Sequence, residues 1–341
     1  MSAVLARPWV LGPAGLVLLA VSVAAATTVG PSTLGPTDAY AVAWSRLTGA
    51  ESGLSVLQEA IVWDLRLPRA VLAAVCGAGL ALVGVVLQSL LRNPLADPYL
   101  LGVSSGASTG AVLVVVLGIG AGALGLASGA FLGAVVAFGL VLALGLLADG
   151  TPDRIVLAGV AVTQLFTALT SFVVYVGADA EQTRGVLFWL LGSLAGSTWT
   201  DVVLCGVVVG LGAVLCGLAA GSMDAFMFGQ DAAATLGVPV AAVRVVLLVV
   251  TALMTAVVVS TSGAIGFVGL VLPHVARGLV GVGHRVLVPT AAVLGAVFLV
   301  WVDTAARLVI APQELPVGVA TALVGVPAFV VVLLRRRRGR A

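Results

Sequence analysis

Arg66 and Arg69 in DLRLPRAVLA and Arg307 in VWVDTAAR are the residues best suited to recognition chemistry, because a guanidinium fork binds a carboxylate through two parallel hydrogen bonds. Three such forks on one surface would make a docking face for acidic groups. A plainer reading stands beside it. Each arginine lies at the end of an apolar run, where its stem covers apolar surface and its head reaches water, and Asp303, one turn before Arg307, can neutralise that charge. No catalytic or metal chemistry is spelled. Cys76, Cys205 and Cys216 fall inside apolar runs without metal-ligand spacing, which predicts core packing. His274 and His284 are ten apart and match no metal or catalytic pair. Gly263, Gly266 and Gly269 lead an apolar run and lack the lysine of a phosphate loop, so they are expected to serve helix packing. No Walker motif occurs, so the chain is expected to hydrolyse no ATP and to bind no cofactor of its own.

A second candidate is the stretch SMDAFMFGQDAAATLGVP, Ser222 to Pro239, which separates two long apolar runs and is too polar to lie in a bilayer. It predicts two short helical pieces hinged at Gly229. The first covers Ala225 to Phe228, the second Asp231 to Leu236, with Gly237 as a C-terminal cap and Pro239 as the stop. An ordered loop of this kind suits a partner surface, or is simply a helical surface loop. A third candidate is the break RNPLADP, Arg92 to Pro98. Pro94 and Pro98 disfavour helix at Asn93 and Asp97, so Leu95 sits in a stiff turn, either a constriction or a plain helix stop.

These segments are positioned by membrane helices. The chain has 341 residues, 61% hydrophobic and 9% charged, with mean hydropathy +1.24; no water-soluble globule of this size carries such a composition. The apolar runs are about 18–25 residues long, the length a helix needs to cross ~30 Å of hydrocarbon, which excludes barrel strands. Forty-three glycines, scattered through the runs, allow close helix approach. The expected fold is an all-α integral membrane protein of about ten transmembrane helices in a compact bundle. The spans are Trp9–Val29, Leu67–Leu90, Tyr99–Leu117, Leu124–Leu147, Ile155–Val176, Val202–Ala220, Ala242–Ser260, Ile265–Val282, Val286–Ala306 and Val317–Leu334. The first is taken as a span and not a signal peptide. Gly30 to Asp64 is a polar outside segment, Gly177 to Gly185 an acidic loop, and Val186 to Ala195, too short to cross, a re-entrant or interfacial helix.

Arginine placement sets the orientation. With the amino terminus inside, eleven arginines face the cytoplasm, including Arg335 to Arg338, and five face outward: Arg46, Arg66, Arg69, Arg184 and Arg307. Both termini and the 222–239 loop are then cytoplasmic.

The runs RLPRAVLAAVCGAGLALVGVVLQSLLRNPLADPYLLGVSSGA, SGAIGFVGLVLPHVARGLVG with HRVLVP, and DTAARLVIAPQELPVGVATALVGVPAF resemble the permease subunits of binding-protein-dependent ABC importers for iron-siderophores, haem and cobalamin. The resemblance covers the chain from about Leu65; residues 1–64 share only a span and an outside loop. It implies a single permease domain over 1–341, in which Ser222 to Pro239 is the coupling loop seated in the ATPase, with Asp224, Ala225, Phe226, Met227, Phe228, Gly229, Asp231, Leu236 and Gly237 as its residues. It implies that Arg66, Arg69 and Arg307 receive acidic residues of the binding protein. It also implies an inner gate of Asn93, Leu95 and the turn Thr151, Pro152 and Asp153; that turn is often Ser/Thr-rich in the family and here is TPD. The implied partners are two copies of an ABC ATPase, which hold ATP and magnesium, an extracytoplasmic substrate-binding protein, and a second or paralogous permease. Ferric siderophore is the commonest cargo of such systems, with haem or cobalamin as alternatives. A secondary transporter needs ionisable residues in mid-span, and only Asp303 is a candidate. A channel or membrane enzyme needs a selectivity ring or a catalytic constellation, and neither is present.

Overall fold

The computed structural model describes residues 8–30, 35–118, 125–310 and 313–338, and every regular element among them is a helix. In chain order these are α1 (Pro8–Thr28), α2 (Pro36–Thr48), α3 (Val56–Leu90), α4 (Val103–Leu117), α5 (Leu126–Leu147), α6 (Pro152–Gly177), α7 (Ala180–Leu190) and α8 (Trp199–Leu218). The series continues with α9 (Ala220–Phe226), α10 (Gln230–Thr235), α11 (Val240–Ser262), α12 (Val268–Val280), α13 (His284–Ala306) and α14 (Val317–Arg338).

Six of these, α3, α5, α6, α8, α11 and α13, are long and apolar enough to cross a membrane; shorter apolar segments lie in α1, α4, α12 and α14. The expected start of the fourth span at Leu124, and Arg7 and Arg340 of the charge count, lie outside the described residues. Helix α3 is the axis of the bundle, its most apolar window being 83% buried. It packs on α13, α8, α12 and α11, while α4, α5 and α6 form a second, adjoining group. What lets α3 sit so deep is the absence of side chains at two crossings. A Cβ on Gly77 would meet the Gly295 carbonyl of α13, and one on Gly84 would meet that of Gly269 in α12. Gly269 thus serves helix packing, as its sequence context suggests.

Three expectations change. Gly30 to Asp64 is not simply a polar loop: α2 lies within it, and α3 begins eleven residues before Leu67. The reason is amphipathic; Ala39, Val42 and Val62 bury together with Ala24 of α1, and Gly49 closes α2 in the left-handed conformation. The added stretch of α3 is wound as a π segment over Ile61–Arg66, with Leu67 N bonded to Val62 O. Pro68 accounts for it: a proline cannot donate to the carbonyl of Asp64 and its ring crowds that carbonyl.

The second change is α7, which occupies much of the expected acidic loop, starting at Ala180 and ending at Leu190. Asp179 and Gln182 form a capping box there, the Asp179 side chain accepting from Gln182 N and the Gln182 side chain from Asp179 N. After α7, Val317 N and Gly318 N donate to Gly192 O and Leu191 O, tying this turn to the start of α14. At eleven residues, about 16 Å, α7 is too short to cross. The third change is in the 222–239 loop, where the first helical piece ends at Phe226 and begins at Ala220, leaving Met227 and Phe228 in the turn.

Candidate functional site

Arg66, Arg69 and Arg307 gather at one end of the bundle, where α3 begins and α13 ends. They are not equivalent. Arg69 holds Asp303 through both arms of its fork, Nε to Oδ2 at 3.0 Å and Nη2 to Oδ1 at 2.9 Å, and its Nη1 reaches Glu314 at 2.8 Å. The Asp303 side chain is 2% exposed. Arg307, by contrast, stands 3.5 Å from Asp303 Oδ2 and donates from Nη2 to Ala26 O and Thr304 Oγ1. Its Nε is buried without a hydrogen-bond partner. The expected neutralisation of Arg307 by Asp303 is therefore secondary, and Asp303 belongs mainly to Arg69. Sequence spacing could not show this, because the two are 234 residues apart, whereas Arg307 is one turn away. Arg66 donates from Nη1 to Thr27 O at 2.9 Å and has no acidic partner among the described residues. Within this group the two carboxylates, Asp303 and Glu314, are shared between Arg69 and Arg307, and neither is bonded to Arg66.

At the opposite end lies the 222–239 loop. Ser89 of α3 is twenty residues beyond Arg69, about 30 Å along the helix axis. Gly229 (φ 105°) forms the hinge between α9 and α10, and Gly237 (φ 83°) closes α10; both angles disfavour any residue with a Cβ. Met223, Ala225 and Phe226 are buried against the bundle, and Ala233 of α10 is also buried. Met227, Phe228 and Leu236 project instead, 43%, 78% and 68% exposed, and Asp231 is exposed beside them. Asp224 turns inward and meets His284, the first residue of α13.

The turn Arg92 to Pro98 is stiffened as its prolines predict. Asn93 Oδ1 accepts from Leu95 N at 2.9 Å, and Asp97 Oδ1 from Tyr99 N at 3.0 Å. Burial pushes the Asp97 carboxyl up to about 6, and the bond from Tyr99 N partly opposes that shift. Leu95 is exposed at the tip. The following segment, Pro98–Leu101, lies on α6, where a Cβ on Gly159 would strike Leu100 O. Thr151 is the N-cap of α6, Pro152 its first residue and Asp153 the acid of its first turn. No hydrogen bond or ion pair among the described residues joins Asn93 or Leu95 to Thr151, Pro152 or Asp153; the two turns share α6 as a support. Sequence reasoning missed Ser89, Gln88, Arg277 and His284, which form a buried polar cluster between the loop and this turn.

Residues 18–335 match the model of the FecCD transport family. The chain is 42% identical over 346 residues to the cobalamin import system permease protein BtuC of Halobacterium salinarum, covering 97% of this chain and 92% of that one. It is 41% identical to the iron(3+)-hydroxamate import system permease protein FhuB of Bacillus subtilis, over 82% of this chain and 72% of that one. A solved structure described as an inward-facing conformation of a metal-chelate type ABC transporter superposes with TM-score 0.83 at 30% identity, covering 96% of this chain and 100% of that chain. With a family match over most of its length and a matching bundle, this chain belongs to the FecCD transport family and is a multi-pass membrane permease of an ABC importer.

Proposed function

We propose that the chain is the membrane half of a binding-protein-dependent importer that carries a metal chelate inward, a ferric siderophore first. The observation that carries this reading is the 222–239 loop: a rigid, hinged pair of helices, anchored by Met223 and Phe226, that presents Met227, Phe228 and Leu236 to a partner. Exposed apolar side chains on an ordered polar loop are the signature of an interface. In this reading the loop seats in an ABC ATPase, two copies of which bind ATP and magnesium and drive a pair of permeases, identical or paralogous. The whole described chain acts as one domain of ten spans, the short α1, α4, α12 and α14 included, with α7 as the re-entrant or interfacial helix. Both termini and the loop then lie in the cytoplasm of a prokaryote, and the arginine end faces outward.

ATP binding moves the loops and switches the path between two discrete arrangements. Leu95, Asn93 and the Thr151 to Asp153 turn form the inner gate. Outside, Arg66, Arg69 and Arg307 receive carboxylates of the binding protein. Arg66, bonded only to Thr27 O and without an acidic partner among the described residues, supports this role. Arg69 is committed to Asp303, so Arg66 is the cleaner test. Arg66→Glu is expected to weaken binding-protein association about tenfold and to reduce its salt sensitivity, measured by titration at two ionic strengths. Equal affinity in the variant would leave Arg66 only its bond to Thr27.

Cobalamin is the second reading, favoured by the 42% identity to a cobalamin import permease over nearly the full chain. Uptake of a panel of radio-iron siderophores, with haem and labelled cobalamin, in cells with and without the gene decides among them. Loss of one uptake on deletion, restored by the wild type, assigns the cargo. Phe228→Asp should restore none of it while still inserting, because a carboxylate replaces the most exposed aromatic of the loop and costs the ATPase interface roughly 2 kcal/mol or more. Full uptake through that variant would remove the loop from the coupling.

A further inference from the structure

Asp224 of α9, His284 of α13 and Ser89 of α3 form an unbroken hydrogen-bonded chain. His284 Nδ1 is 2.6 Å from Asp224 Oδ1, the same oxygen accepts from His284 N at 3.0 Å, and His284 Nε2 is 2.6 Å from Ser89 Oγ. A carboxylate can only accept, so the ring proton facing Asp224 sits on Nδ1. Ser89 Oγ also lies 2.9 Å from Val85 O. These are the three groups of a hydrolase triad, but Ser89 is 6% exposed within a helix and His284 1%, so no substrate reaches the hydroxyl.

The next residue continues the path. Gln88 Oε1 accepts from Arg277 Nη1 at 2.5 Å, and Gln88 Nε2 lies 3.4 Å from Ala96 O and 3.2 Å from Gly269 O. Ala96 is part of the stiff turn that carries Leu95. Apolar packing by Met223 and Phe226 already fastens α9 to the bundle. A buried imidazole bonded at both ends adds little to that adhesion, since burying it costs most of what its bonds return. What it adds is direction: one bond fixes an atom of the loop to His284 of α13, and the other fixes His284 to one atom of α3.

We propose that the Asp224, His284 and Ser89 chain, extended by Gln88 to Ala96, is the linkage through which displacement of the 222–239 loop reaches the turn around Leu95, with His284 as its positioning residue. The proposal rests on the importer reading for what the displacement accomplishes. The linkage itself is a property of this chain.

The test reads the turn directly. A nitroxide on Leu95→Cys in the purified full chain, reconstituted in lipid vesicles, reports the mobility of the turn; Cys76, Cys205 and Cys216 are buried and stay in place. Asp224→Ala and His284→Gln each cut the chain at one bond, and both are expected to change the label's spectrum. Asp224→Asn keeps an oxygen acceptor and should restore it, and Thr235→Ala, on the same loop but off the chain, should leave it unchanged. In the complex with its ATPase, His284→Gln is expected to lower uptake about tenfold, the scale of one charge-assisted hydrogen bond, with hydrolysis retained. Spectra that do not respond to either cut, or an Asp224→Asn spectrum equal to that of Asp224→Ala, overturn the proposal. So does a proportional fall of hydrolysis and uptake. If no ATPase associates with the wild-type chain, the importer reading fails, while the vesicle spectra still decide the linkage.

Discussion

Asp303→Ala is expected to destabilise the fold by about 3–5 kcal/mol, the cost of leaving buried cations without their counter-charge. Asp303 is buried at the end of α13, and both forks that approach it are themselves largely covered, 13% exposed for Arg69 and 14% for Arg307. Neither guanidinium can lose its proton, so removal of the carboxylate leaves two like charges facing each other across a low-dielectric gap. Glu314 cannot compensate: it reaches Arg69 only, and at 41% exposure its bond is screened by solvent. Glu314→Ala should accordingly cost no more than about 1 kcal/mol. The measurement is recovery of monodisperse protein in detergent and its thermal midpoint. The double change Asp303→Leu with Arg69→Met should recover much of the loss, because an apolar pair of similar volume dispenses with the desolvation of both ions. If Asp303→Ala is as stable as Glu314→Ala, Asp303 does not hold the end of the bundle together.

The ion pair also marks where sequence reasoning stops. Composition and run length were enough for an all-helical membrane bundle, and the two prolines of RNPLADP gave its stiff turn, because such signals are local. The hinge at Gly229 and the cap at Gly237 were legible for the same reason, both being positions where the backbone turns left-handed. Helix α2 was not. Its alternation of Ala, Val and Trp with Asp, Ser and Arg is too polar for a span, and its apolar face is explained only by α1 and the start of α3, against which it packs. Long-range polar partners were invisible altogether. Asp224 and His284 are 60 residues apart, Ser89 and His284 195, and no spacing rule connects them. Their residue types gave a weak hint. A histidine that opens a span next to Arg285, and a serine closing another, are costly to bury and so need partners.

The crossing of α3 with α12 makes the second large effect. At Gly84 an added Cβ would lie inside contact distance of the carbonyl oxygen, carbonyl carbon and Cα of Gly269, all backbone atoms, so no side-chain rotation relieves the clash. Gly84→Val must therefore push α12 away from α3. That movement separates Gln88 from the α12 carbonyls it is bonded to, and Arg277 from Gln88. Overpacking of an ordinary core costs about 1–3 kcal/mol, and against rigid backbone the upper limit or beyond is expected. In lipid the loss of close backbone approach is felt directly, since no hydrophobic drive between helices offsets it. Gly139→Ala, at an exposed position of α5 with nothing near its Cβ, should be neutral within about 0.5 kcal/mol. The comparison is made on detergent-solubilised protein by thermal midpoint and by accessibility of a cysteine placed at Leu95, which the displaced helix pair would alter in Gly84→Val alone. Equal midpoints for Gly84→Val and Gly139→Ala would mean that α3 and α12 can part without cost, and that the bundle is not held by its glycine crossings.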